Sequence, residues 1–147
     1  MSSPAVLALD LVVATWEALT APTDGTSLPY RELEDAGSLR RDGSGHRLFA
    51  FGAPSWEPIR EAGVESTDVA WTLPVEVFLS AAHHTTRALI DAALNEIALL
   101  ARAIDKLPSS SLPSGVGLLS VESATTELVE GGAVLRLELR LETTEED

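Results

Sequence analysis

The chain of 147 residues has no cysteine. That single absence removes disulfides, thiolate zinc sites and cysteine nucleophiles, and it carries no information about redox compartment. Cations are also short: 10 Lys and Arg stand against 23 Asp and Glu, for a net charge of −13. A surface that grips nucleic-acid phosphates needs clustered Lys and Arg, so that class is disfavoured. Polybasic attachment to anionic lipid is disfavoured for the same reason. A long hydrophobic run is missing too. The opening MSSPAVLALDLVVATWEALTAP has no basic segment before its apolar stretch, Asp10 interrupts it, and Trp16 and Glu17 stand where a cleavage region belongs. It is shorter than the roughly 20 apolar residues that span a bilayer. A cytosolic helix, with no secretion signal and no membrane partner, is the expectation.

What is present is enough apolar material for a core, since 45% hydrophobic residues rules out wholesale disorder despite the charge. The length suits a single domain over 1–147. Ser2 or Ser3 can cap a first helix with Pro4 in its first turn, and Val6, Leu9, Val13 and Trp16 then recur at helical spacing to about Thr20. Only Asp10, Thr15 and Glu17 furnish a polar side, and a helix this apolar is covered on more than one side. Residues 21–45 read as a long loop holding a short extended piece after Tyr30, with Asp42-Gly43-Ser44-Gly45 as a turn or flexible tip.

Residues 46–51 (HRLFAF) read as a strand, and 52–68, with Pro54 and Pro58 around Trp56, as a second long loop. Residues 69–79 alternate, with Val69, Trp71, Leu73, Val75, Val77 and Leu79 towards the core; Pro74 within them suggests an edge or a bulge. A second helix capped by Thr85 or Thr86 runs to about Leu107, with Ile90, Leu94, Ile97, Ala101 and Ile104 as its apolar stripe. Residues 108–115 (PSSSLPSG) form a loop. Two strands close the chain, 116–126 and 133–142, joined around Glu130-Gly131-Gly132 and followed by an acidic tail at 143–147. In the last strand Leu135, Leu137, Leu139 and Leu141 face one way and Arg136, Glu138, Arg140 and Glu142 the other. Helices and strands come in blocks, so the expected class is α+β: an antiparallel or mixed sheet packed by a long helix, with an N-terminal helix and a C-terminal β-hairpin.

No enzyme signature survives inspection. Adjacent His83 and His84 point apart on any regular element, and His46 is the only further histidine, so a metal is not expected. Ser44 near His46 lacks the strand-turn-helix setting of a nucleophile elbow, and neither phosphate-loop pattern occurs. The acidic runs read as solvated surface. Catalytic residues and cofactors are therefore not expected. The rival of another class is a small acidic metal-dependent hydrolase using His46, His83 and His84. What remains is surface: the first helix with Trp16, Tyr30 after Pro29, and Trp56 between prolines are the candidate contact residues, with Arg40, Arg41, Arg136 and Arg140 as scarce cations that pair with neighbouring carboxylates.

The opening helix from Pro4, the strand HRLFAF, the strand WTLPVEVFL leading into the helix TTRALIDAALNEIALLARAI, and the final LRLELRLET together resemble the tail terminator (tail completion) proteins of long-tailed bacteriophages, the lambda-type terminator included. The resemblance is one of length, element order and pattern, and it covers most of the chain. It implies a structural virion protein and no enzyme: a homo-oligomeric ring, a hexamer, that caps the tail tube, ends its polymerisation and provides the head-joining surface. The implied partners are the tail tube protein and a head-closure or connector protein, with DNA passing through the lumen without specific binding. The implied place is the head-proximal end of the tail, after assembly in the host cytoplasm. A head-closure or neck subunit is the alternative within that class. Acidic residues lining the lumen would repel DNA phosphates, and the long loops would meet tube and head.

Overall fold

The structure, a computed structural model, describes residues 3–21, 29–33, 47–61, 66–80 and 85–146. Its first helix, α1 (Pro4–Glu17), begins where Ser3 Oγ accepts the Val6 N–H at 3.3 Å and where Pro4 needs no intrahelical donor. Three short strands follow: β1 (Tyr30–Glu32), β2 (Arg47–Phe51) and β3 (Ser55–Glu61). Then come β4 (Ser66–Ser80), α2 (Thr86–Asp105), a single 3-10 turn at Ser109–Ser111, β5 (Val116–Val129) and β6 (Gly132–Glu146). Thr85 caps α2 by accepting the Ala88 N–H at 3.2 Å. Arg102 lies in its last turn, where a cation offsets the helix dipole.

The six strands form one mixed sheet in the order β1-β2-β4-β6-β5, with β3 also on β4. Only β1 and β2 run parallel. The centre is β4 against β6, two 15-residue strands paired without a shift from Ser66↔Glu146 to Ser80↔Gly132. Along the opposite side of β4, β2 and β3 lie end to end, Phe51 opposite Val75 and Ser55 opposite Thr72, so the register slips by one residue across 52–54. Pro74 sits at that break. Its carbonyl accepts the Gly52 N–H at 2.8 Å, and its missing N–H falls on the same side, where the adjoining strand is interrupted. Of the edge or bulge expected at Pro74, the edge is corrected: the residue is in a central strand, beside the gap and one-residue slip in its neighbour.

Two further expectations are corrected here. Residues 52–68 are not a long loop, because Ser55–Glu61 is a strand and β4 already starts at Ser66. The prolines that suggested a loop fit because β3 is an edge strand, whose outer side needs no donor, and its register shifts between Pro58 and Arg60. Nor is 143–146 a tail: Thr143 to Glu146 continue β6 against β4. Trp71 Nε1 donates to Thr143 Oγ1 at 3.0 Å, and Thr144 Oγ1 donates to Asp68 Oδ1 at 2.8 Å. Asp147 lies outside the described residues, as does most of the loop expected at 21–45, within which β1 supplies the short extended piece.

Both helices cover the same face of the sheet. Leu135, Leu137, Leu139 and Leu141 of β6, with Leu73, Val75, Val77 and Leu79 of β4, pack against Ala8, Val12 and Trp16 of α1 and Leu89, Ala92, Ala93, Leu100 and Ile104 of α2. The fold is therefore α+β, two layers deep, with an N-terminal helix and a C-terminal hairpin. The stripe expected on α2 is displaced: the residues turned inward are Leu89, Ala92, Ala93, Glu96, Leu100 and Ile104, while Ile90 and Leu94 stay exposed. No helix among the described residues is long and apolar enough to cross a membrane.

Candidate functional site

The parallel pairing of β1 with β2 sets Tyr30 beside Arg47, and both reach under α2 to the same carboxylate. Tyr30 Oη donates to Glu96 Oε1 at 2.7 Å; Arg47 donates from Nε to Oε1 and from Nη2 to Oε2, each at 3.0 Å. Glu96 is wholly buried, Tyr30 and Arg47 nearly so. A buried carboxylate is tolerated when a guanidinium fork and a further donor satisfy it, which is the arrangement here. Among the described residues no buried side-chain nitrogen or oxygen lacks a partner. The cluster is a clasp between the sheet edge and α2.

Trp16 and Tyr30 were expected at an interface, and the structure corrects both. Trp16 is fully buried, donates from Nε1 to the Leu100 carbonyl at 3.1 Å, and meets Phe49 edge-on at 5.3 Å. The domain itself covers one stripe of this apolar helix, Ala8, Val12 and Trp16, and leaves Val6 and Leu7 exposed. Trp56 is different: it is 59% exposed, and its ring stands 6.3 Å from that of Trp71, its partner across β3 and β4. Arg40 and Arg41 lie outside the described residues, and so do His46, His83 and His84.

Arg136 and Arg140 project from the sheet face that bears no helix among the described residues. Arg136 ties three strands, with Nε 3.2 Å from Glu76 on β4 and Nη1 on the Glu127 carboxylate of β5. The hydrogen bond it donates to Glu127, then the charges of Glu127 and Glu76, hold this guanidinium even more firmly protonated than usual. Arg140 Nε pairs with Glu142 at 3.0 Å within its own strand. Ser123 Oγ meets Glu138 at 3.2 Å. Arg136 and Arg140 are thus engaged by the chain's own carboxylates, and the acids around them, Glu76, Glu127, Glu138 and Glu142, outnumber them.

The helix layer has the opposite character. Val6 and Leu7 on α1, and Ile90 and Leu94 on α2, are exposed, as are Ile59 on β3 and Leu128 on β5. Leu19, Asn95, Ala98, Leu99, Arg102, Ala103 and Lys106 line an open groove along the outer side of α2. Sequence reasoning missed Arg47, Glu96 and this groove. The one available signal was Glu96, an acid three residues before Leu99 and four before Leu100 in a helix whose other acids are all exposed. Among the described residues no group of His, Asp and Glu is disposed to hold a metal ion.

Compared with known proteins, the chain matches no family model and no curated sequence.

Proposed function

We propose that this protein is a tail terminator subunit, a structural component whose copies form a ring on the finished tail tube of a long-tailed bacteriophage and offer the head-joining surface. The observation that carries the reading is the exposure of large apolar side chains on separate elements: Val6 and Leu7 on α1, Ile90 and Leu94 on α2, Trp56 and Ile59 on β3. A closed ring joins two different faces of one chain, so each subunit must keep apolar surface in more than one place. The acidic sheet face around Glu76, Glu127, Glu138 and Glu142 suits a lumen through which DNA slides, since like charge keeps phosphates from adhering. The element order, with α1 first, a long α2 and a closing β5–β6 hairpin, agrees with the plan the sequence resembles.

The test is particle mass by light scattering over a concentration series, with negative-stain images of the same fractions. Rings with a central hole, about six subunits round, are the expected result. Purified tails complete it. Absence of the protein from their head-proximal end overturns the proposal, and its presence on the portal side instead selects the head-closure alternative.

A further inference from the structure

The β5–β6 hairpin ends in a feature the fold does not use. Leu128 lies on the helix-bearing face of the sheet opposite Ala133, yet Ala133 is fully buried and Leu128 is 52% exposed. The edge strand thus carries an apolar side chain out past the cover that its neighbour enjoys. The strand and turn that carry it are acidic: residues 116–132 contain Glu122, Glu127 and Glu130 and neither Lys nor Arg. Glu127 is partly spent on Arg136, whereas Glu130 sits in the exposed turn.

The groove on α2 is the converse. Its floor is small and apolar, with Ala98, Leu99 and Ala103 of α2 and Leu19 beyond the end of α1. Its polar lining is Asn95 with the two cations Arg102 and Lys106, neither of which has a carboxylate partner among the described residues. Asp105, the exposed acid beside them in sequence, is not part of the lining. In a chain of net charge −13, two free cations flanking an apolar floor are an unusual concentration.

We infer that the groove receives the hairpin tip of a second copy of this chain, Leu128 resting on Ala98, Leu99 and Ala103 while Glu130 faces Arg102 and Lys106. The complement is in charge and in size: a branched apolar side chain on an alanine floor, an acidic turn against a basic rim. The two surfaces are different, so the contact runs head to tail and extends from copy to copy. The inference rests on the reading of the protein as a self-assembling subunit and specifies the contact by which it assembles.

The absence of cysteine makes cross-linking of the full chain unambiguous. Leu128→Cys and Ala98→Cys are prepared as separate proteins and oxidised alone and mixed. A disulfide-linked dimer in the mixture, absent from either protein alone, is expected. No dimer in the mixture, or dimers of Leu128→Cys with itself, overturns the contact. Charge reversal supplies the second arm. Arg102→Glu with Lys106→Glu should weaken association at least about tenfold, and adding Glu130→Lys should recover it. Association unchanged by the reversals, or a chain that stays monomeric at every concentration, also overturns it. Rings that ignore these substitutions sink the contact and leave the terminator reading standing. A cross-linked dimer from a protein that never caps a tail does the reverse.

Discussion

Arg47 and Glu96 meet through two bonds of 3.0 Å each, joining β2 to α2 where neither side chain is more than 6% exposed. With Tyr30 as the third member, the pair fixes α2 over a sheet edge that has only one short strand, β1, beyond it. Removing one partner of a buried ion pair strands the other. Glu96→Gln should therefore cost about 3–5 kcal/mol in urea unfolding. Tyr30→Phe leaves the pair intact and should cost about 1.5–3 kcal/mol, the worth of a hydrogen bond to a charged group. Equal losses from the two would contradict the assignment of Arg47 as the principal partner.

The two faces of α2 give a second contrast. Leu100 is fully buried and Leu94 is 62% exposed. Leu100→Ala should cost about 2–5 kcal/mol, through lost burial and the cavity left behind. Leu94→Ala should stay within about 0.5 kcal/mol. The latter should instead reduce self-association in sedimentation, because the side chain is spare to the fold.

The three tryptophans separate by burial. Trp16 should emit at short wavelength and resist acrylamide, whereas Trp56 should be quenched freely. Trp16→Phe should abolish the protected fraction and lower stability by about 1–3 kcal/mol, through the lost indole hydrogen bond to the Leu100 carbonyl and the space the smaller ring leaves. A protected signal that survives this substitution would place the buried tryptophan elsewhere.

Neighbouring glycines at the hairpin turn should respond unequally. Gly131 adopts φ +84° with open space around a would-be Cβ, so Gly131→Ala carries only the left-handed backbone penalty of about 1–2 kcal/mol. At Gly132 a Cβ would run into the Leu79 carbonyl, which is locked in the β4–β6 ladder. Gly132→Ala should lower the melting temperature by clearly more than Gly131→Ala; the reverse order would mean that β6 does not start where the structure puts it.

On the open face, Arg136→Ala should leave the unfolding midpoint essentially unchanged at physiological salt, because its carboxylate partners are about half exposed and screened. A large loss would show that the three-strand bridge matters to the sheet.

The alternation in β6 was fully legible in the sequence: Leu135, Leu137, Leu139 and Leu141 are the buried row, as their spacing required. One buried face and a period of two leave no other solution. The stripe on α2 was harder. Periodicity counts Glu96 as polar and therefore outward, and nothing local reveals that Arg47, 49 positions earlier, neutralises it. Once Glu96 turns inward the stripe rotates, and Ile90 and Leu94 are left outside. The strand β3 was hidden by Pro54 just before it and Pro58 within it, which argue against a fully paired strand and are harmless at an edge. Of the candidate contact residues, Trp56 kept its exposure while Trp16 and Tyr30 were claimed by the chain's own core, a distinction that hydrophobicity alone does not make.

The β4–β6 ladder also dictates how the molecule comes together. On one side lies a hairpin made of β2, β3 and β4, on the other the hairpin of β5 and β6, and each closes between near neighbours in the chain. The ladder between them joins Ser80 to Gly132 and Ser66 to Glu146, with α2 and β5 looped out in between. Non-local pairing of this kind is the slow event in folding. Until the two hairpins zip together, the most apolar strand of each has an open edge, and it is there that a nascent chain is most prone to stick to another. The long unbroken seam at the centre of the finished sheet is thus expected to be the last part of it to form.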